Sequence, residues 1–92
     1  MLLMRAKHVK TLQAIFTKPT STSLEWVRIE ALFIALGCCV IEGRGSRVRF
    51  EFNGKITAFH RPHPAKEAKP YQVEQARDFL IAIGANNEHT DL

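Results

Sequence analysis

The sequence predicts an α+β fold, in which helices precede and follow a three-stranded antiparallel sheet. Two helical stripes of apolar residues occupy the first part of the chain, and the second of them ends at Gly37. Strict polar–apolar alternation over 47–52 then indicates a half-buried strand, and Asn53-Gly54 favours a two-residue hairpin turn. A further helical stripe begins at Pro70. We expect one domain over 1–92, because a split would leave neither part a useful core.

The first two helices follow from apolar spacing. A helix over 7–17 ends before Pro19, and its apolar face carries Val9, Leu12, Ile15 and Phe16. A polar connector over 18–23 follows. Thr22 and Glu25 have capping-box spacing, so we expect a second helix over 24–36 that Gly37 ends in the left-handed conformation. The predicted buried stripe of this helix is Trp26, Ile29, Leu32, Phe33 and Leu36.

The strands follow from a change of period after the second helix. A short apolar strand is predicted over 38–41, and a flexible glycine-rich turn over 43–45. The hairpin strands are predicted over 47–52 and 55–60, because a type I′ turn at the intervening Asn-Gly pair needs two positive φ angles.

The last part of the chain contains two prolines that prevent regular structure over 61–69. Pro70 suits the first turn of a helix that Gly84 ends. One face of that helix would carry Val73, Ala76, Leu80 and Ile83. The core would cover 24–84, with a frayed tail over 85–92. This αβββα order with one extra leading helix is the architecture of the double-stranded-RNA-binding type.

Charge is unevenly distributed along the chain. The formal net charge is +4, but residues 44–69 contain seven Lys and Arg against two Glu, a local excess of five. Such an excess favours a polyanion such as nucleic acid, because phosphate neutralisation releases condensed counterions. A solvated basic face without a ligand is the alternative that charge alone leaves open.

Composition points to a soluble cytoplasmic protein. No stretch approaches the roughly 18–20 apolar residues that span a bilayer, and the apolar start over 1–4 is too short for a signal-peptide core. Cys38 and Cys39 are adjacent, so a disulfide between them would be strained and we expect buried or half-buried thiols. No second cysteine pair supports zinc, and we predict neither metal nor cofactor.

The hairpin register brings Arg47 opposite His60. A two-residue turn also pairs Phe52 with Lys55, Phe50 with Thr57, and Val48 with Phe59, and directly opposed residues share a face. A bulge in the turn would shift this register by one residue. The core side would carry Val48, Phe50, Phe52 and Phe59. The other side would carry Arg47, Arg49, Glu51 and His60, with Ile56 and Ala58 between them.

His60 and His63 form the most chemically suggestive cluster. Phosphodiester cleavage without a metal requires a base, an acid and a cation, which histidine and arginine can supply near neutral pH. Two ordinary surface histidines in a loop are the alternative. Phe59, Tyr71 and Trp26 could stack on bases, but their predicted positions on buried stripes favour core packing. His8 and His89 are assigned no role.

Two segments carry a family resemblance. Residues 43–50, Gly-Arg-Gly-Ser-Arg-Val-Arg-Phe, and 59–64, Phe-His-Arg-Pro-His-Pro, are followed by Lys66-Glu67. In order and spacing they resemble the HicA toxin family, and more closely its longer branch with an extra N-terminal helix. The resemblance runs from about Lys10 to Gly84 and implies a type II toxin–antitoxin mRNA interferase. Such a toxin binds and cleaves mRNA without metal, inhibits translation, and is neutralised by a HicB-type antitoxin.

One position departs from the family pattern. Members of the family usually carry a histidine directly after Gly-Ser, taken as the catalytic residue, and this chain has Arg47 there. Arginine stays protonated and cannot serve as a general base, so catalysis would fall to His60 or His63, with Arg47 as phosphate clamp. Together with the charge pattern, the resemblance implies RNA contacts by Arg44, Gly45, Ser46, Arg47, Arg49, Lys55, Arg61 and Lys66.

Two alternatives to the ribonuclease hypothesis stay open. A non-catalytic RNA-binding module would explain the arginine at position 47 and would bind RNA in a salt-sensitive way without cutting it. A protein-binding subunit of a regulatory complex would dock an acidic partner on the basic face and show negligible RNA affinity. An adjacent antitoxin-like reading frame would favour the toxin over both.

Overall fold

The computed structural model describes residues 4–85; residues 1–3 and most of the predicted tail, 86–92, lie outside the described residues. Within the described range the elements are α1 (Ala6–Phe16), α2 (Trp26–Ala35), β1 (Cys39–Glu42), β2 (Arg47–Phe52), β3 (Lys55–His60) and α3 (Pro70–Ala82). The predicted α+β class and element order are confirmed, including the leading helix. No helix in this range combines the length and apolar character needed to cross a membrane.

The start of α2 differs from the prediction. The helix begins at Trp26 with Glu25 as its N-cap residue, and no side chain caps it, so the expected capping box of Thr22 and Glu25 is wrong. The Trp26 amide instead donates to the carbonyl of Lys66 at 2.9 Å, beside an isolated antiparallel bridge between Glu25 and Glu67. A tertiary partner therefore satisfies an amide that local capping would otherwise satisfy.

The sheet has the order β1-β2-β3 and the predicted hairpin register. Asn53 and Gly54 have φ of 50° and 80°, as a type I′ turn requires. Arg47 pairs with His60, and the other three predicted pairs are also confirmed. Strand β1 begins one residue later than predicted, because the amide of Cys38 donates to the carbonyl of Phe33 and closes the end of α2.

The two cysteines lie in different environments. Both are free thiols; Cys38 is buried, whereas Cys39 is exposed, contrary to the expectation of two buried or half-buried thiols. Neighbouring residues at the start of a strand point to opposite faces, so only one of them can contact the helices. Burial raises the pKa of the Cys38 thiol to about 11, and the adjacent Cys39 contributes to the rise.

Aromatic side chains form the centre of the core between the helices and one face of the sheet. The ring centroid of Phe33 lies 4.9 Å from that of Phe50 and 5.3 Å from that of Phe79. The ring centroids of Trp26 and Phe59 are 4.9 Å apart. Trp26 and Phe59 are therefore core residues, as predicted. The same prediction is wrong for Tyr71, which is 58 % exposed on the first turn of α3.

Helix α1 packs against α2 and α3 through its buried residues Leu12 and Ile15. Arg77 of α3 donates through Nε to the carbonyl of Ile15 at 2.9 Å, near the end of α1 where carbonyls lack helical partners. The helices therefore cover one face of the sheet, and the opposite face stays open.

Candidate functional site

The open face of the sheet carries the basic side chains of the hairpin. Arg47, Arg49, Ala58 and His60 are exposed, and Ile56 is 55 % exposed between them. Alternation along each strand produces this arrangement, because the residues between them point into the core. A shallow groove of about 560 Å³, here called the hairpin groove, is lined by Ile41, Glu42, Gly43, Arg44, Arg47, Val48, Arg49, Ala58, Phe59 and His60.

Arg47 and His60 lie directly opposite each other at one end of the hairpin groove. Ser46 is the neighbour of the His60 ring, and its Oγ lies 3.4 Å from Nδ1, near the long limit of a hydrogen bond. The amide of Arg61 donates to the carbonyl of Ser46 at 2.8 Å, which extends the strand pairing beyond His60. The imidazole of His60 and the side chain of Arg47 therefore line the same solvent-accessible groove.

The turn between β1 and β2 positions Arg47. The Gly43 amide donates to the carbonyl of Arg47 at 2.9 Å, and the Arg47 amide donates to the carbonyl of Arg44 at 3.1 Å. A Cβ atom at Gly43 would lie 2.9 Å from the Cβ of Arg47, closer than side chains tolerate. Gly45 has φ of 59°, a left-handed conformation that favours glycine. Glycine at 43 therefore permits the close approach of the turn to Arg47.

Arg61 binds two carboxylates from different elements. Its guanidinium donates to both oxygens of Glu30 on α2, at 3.0 and 2.9 Å, and to both oxygens of Glu42 on β1, at 2.8 and 2.9 Å. Trp26 Nε1 also donates to Glu30, at 2.9 Å. The hydrogen bonds that Arg61 donates, first to Glu42 and then to Glu30, raise the pKa of Arg61, and the hydrogen bond from Arg61 lowers the pKa of Glu42. We call this group the arginine clamp: Arg61, Glu30 and Glu42.

Two glutamines of α3 hold the outer edge of β3. Gln72, which is buried, donates through Nε2 to the carbonyl of His60 at 2.8 Å and accepts from the Lys69 amide at 3.0 Å. Gln75 Nε2 donates to the carbonyl of Ala58 at 2.6 Å and to Thr57 Oγ1 at 3.0 Å. The backbone of His60 is thus held by the sheet on one side and by α3 on the other.

The structure brings together four of the predicted site residues. Arg44, Arg47, Arg49 and His60 all line the hairpin groove, and Ser46 contacts His60. Gly45 forms the adjacent turn.

The other predicted site residues lie elsewhere. His63 is exposed in the loop after β3 and does not line the hairpin groove. Lys55 is exposed at the far end of β3, about 17 Å along the strand from His60, and is paired with Phe52 on the helix side. Lys66 lies beside the start of α2. The guanidinium of Arg61 is occupied by the arginine clamp.

Sequence reasoning missed Glu30, Glu42 and Gln72. Glu42 follows an apolar strand and Glu30 lies between the stripe residues of α2, so periodicity marks both as surface positions. Arg61 is 31 residues from Glu30 and 19 residues from Glu42 in the sequence, so no local pattern predicts that it binds them. Within residues 4–85, no group of three or more His, Cys, Asp or Glu side chains is placed to hold a metal ion.

Comparison with protein families identifies residues 26–84 as matching the family described as HicA toxin of bacterial toxin-antitoxin. This match covers more than half of the chain. The chain belongs to the HicA toxin family. The matched region contains the hairpin groove and the arginine clamp, whereas α1 of this HicA protein lies before it. The protein therefore has the role of the toxin in a toxin–antitoxin pair. Comparisons with curated proteins and with solved structures returned no match.

Proposed function

We propose that this HicA toxin binds mRNA in the hairpin groove and cleaves it, which inhibits translation. The observation that carries the proposal is the direct pairing of Arg47 with His60 on the open face, with Arg44 and Arg49 lining the same groove. Guanidinium groups match phosphate oxygens in charge and geometry, and the neighbouring imidazole supplies a group that exchanges protons near neutral pH.

In the proposed reaction His60 acts as general base. When Nδ1–H donates to Ser46 Oγ, Nε2 carries a lone pair that can accept the proton of a ribose 2′-hydroxyl. The 2′-oxygen forms a bond to phosphorus, the bond to the 5′-oxygen breaks, and that oxygen takes a proton. Arg47 stabilises the negative charge that develops on the phosphate. No metal takes part in this scheme.

The source of the leaving-group proton distinguishes two forms of the proposal. His63 is the candidate acid from the sequence, and it would have to approach the hairpin groove when RNA is bound. Water is the other source, since the groove is open to solvent. Loss of cleavage in His63→Ala would favour the histidine, and full activity in that variant would favour water.

The proposed partner is a HicB-type antitoxin, and the proposed location is the cytoplasm, where mRNA is translated. Family membership supports an antitoxin partner in general terms. A protein that covers the hairpin groove would compete directly with RNA.

A non-catalytic RNA-binding module is the second candidate. The observation that favours it is the arginine at position 47. A guanidinium opposite His60 binds phosphate but cannot accept a proton. Binding would then be salt-sensitive and weakened by Arg47→Ala and Arg49→Ala, without cleavage products. A purely protein-binding subunit would show negligible RNA affinity at physiological salt.

The test combines inducible expression with an assay of mRNA integrity. We expect the parent to stop growth and degrade mRNA, His60→Ala to bind RNA without cutting it, and Arg47→Ala to lose both activities. Lys55→Ala is the matched control, because it removes one cation from the far end of the same hairpin. Intact RNA with the purified parent would exclude the nuclease, and cleavage by His60→Ala at the parental rate would exclude His60 as the base.

A further inference from the structure

A second cationic groove lies between α1 and α2, away from the open face of the sheet. This helix groove has a volume of about 220 Å³ and is lined by Lys7, His8, Thr11, Val27, Arg28 and Ala31. None of these lining residues is acidic. Lys7 and Arg28 come from different helices and are both exposed, so two solvent-accessible cations flank a partly apolar floor.

The first 24 residues of the chain carry positive charges only. Residues 1–24 contain Arg5, Lys7, Lys10 and Lys18 together with His8, and they contain no Asp or Glu. Partial burial lowers the pKa of His8, and the charges of Lys7 and Arg5 lower it further. The local potential around the start of α1 is therefore positive.

A third depression has lining residues that are shared with the helix groove or adjacent in sequence to the hairpin groove. This loop hollow is lined by Glu25, Trp26, Val27, Arg61, Pro62, Pro64, Ala65 and Lys66. It shares Val27 with the helix groove, and its Arg61 directly follows His60 of the hairpin groove. The linings of the three depressions therefore run through neighbouring residues, from His60 past Arg61 and the proline loop to Val27 and Arg28. Glu42 and Glu25 are the acidic residues among these linings.

We propose that the helix groove is a second binding site for the phosphodiester backbone of the same RNA strand, in which Lys7 and Arg28 contact phosphate. The inference rests on RNA binding in the hairpin groove. Cations in the hairpin groove and in the helix groove suit a flexible polyanion, and the exposed Val27 and Pro64 of the loop hollow suit bases that lie against apolar surface. The leading helix, which lies outside the matched family region, thereby lengthens the RNA footprint.

RNAs of two lengths distinguish binding in the hairpin groove from binding in the helix groove. Labelled single strands of about 4 and about 16 nucleotides, near the limits for small single-strand-binding domains, are titrated in a His60→Ala background that prevents cleavage. The test variant is Lys7→Ala/Arg28→Ala. Lys10→Ala/Lys18→Ala is the matched control, because it also lowers the net charge from +4 to +2 and changes exposed residues outside the helix groove.

The test variant should bind the long RNA several-fold more weakly, with a salt dependence whose slope is smaller by about 1.4, corresponding to two phosphates at about 0.7 each. Its affinity for the short RNA should equal that of the control. Equal effects of the two double variants on the long RNA would overturn the inference in favour of general charge. Retained RNA affinity with loss of binding to an acidic antitoxin would assign the groove to a protein.

Failure of the underlying proposal has a different outcome. If RNA binding in the hairpin groove is wrong, Arg47→Ala leaves the affinity for both RNAs unchanged. If only the second site is wrong, both RNAs bind and Arg47→Ala weakens both. Thermal unfolding of each variant confirms that it is folded, and alanine at helical positions favours the native helix.

Discussion

Replacing Arg61 by alanine tests whether this residue stabilises the fold or binds RNA. In the structure its guanidinium makes four hydrogen bonds to two carboxylates, and its side chain is 29 % exposed. Glu30 is 21 % exposed and Glu42 is 63 % exposed. The interaction with Glu30 therefore contributes more to stability, because solvent screens Glu42 more strongly.

The expected loss of stability is taken from the interaction of Arg61 with Glu30, which is less exposed than that with Glu42. A hydrogen bond to a charged group contributes about 1.5–3 kcal/mol, and partial exposure favours the lower end of that range. We expect Arg61→Ala to lower the free energy of unfolding by about 2 kcal/mol. At 4–8 °C per kcal/mol for a domain of roughly this size, the Tm falls by about 10 °C. Arg61→Lys should recover less than half, because an ammonium group cannot form the paired bonds of a guanidinium.

The assay is thermal unfolding at neutral pH together with RNA affinity measured well below the Tm. Lys10→Ala is the control, because it removes the same charge from an exposed position on α1 outside both grooves and should change stability by only about 0.5 kcal/mol. A Tm of Arg61→Ala within about 2 °C of the parent, accompanied by weakened RNA binding, would refute the clamp and restore the role expected from the sequence.

Three further predictions concern the turn, the thiols and acid stability. Gly43→Ala should weaken RNA binding and cost about 1–3 kcal/mol in stability, because the new Cβ displaces Arg47; an unfolding titration and an RNA titration measure both effects. A maleimide should label Cys39 but not Cys38 in the native protein, and both after denaturation, as mass spectrometry can show; equal native labelling would contradict the burial. Since the folded pKa of Glu42 lies below its ordinary value of 4.5, its contribution to stability is present above that value and lost as pH falls through the folded pKa. Thermal melts of the parent should therefore show a steeper acid decline than melts of Glu42→Gln.

The secondary structure of this chain was predictable because its signals are local. Alternation over Arg47–Phe52 and the Asn53-Gly54 pair together determine which side chains face the core and which residues pair across the hairpin. A two-residue turn allows one register, and a slip of one residue would expose Val48 and Phe50 to solvent. Pairing of Arg47 with His60 was therefore predictable from sequence.

The role of Arg61 was not predictable in the same way. In sequence it is one cation among seven in a basic segment, next to a histidine and two prolines. Its partners Glu30 and Glu42 come from a helix and a strand that meet only in the folded protein. The missed capping of α2 has the same origin, because the amide of Trp26 bonds to Lys66 across the proline loop.

The sequence alone determined the element order, the hairpin register and the basic character of the open face, because each depends on the spacing of neighbouring residues. Tertiary structure decided which cations and histidines from outside the hairpin share that face. It added Arg44 to the groove of Arg47, Arg49 and His60, whereas His63 lies outside it. It also placed Lys7 of α1 and Arg28 of α2 together in the helix groove. Packing between segments that are distant in sequence sets these placements, and no local pattern encodes them.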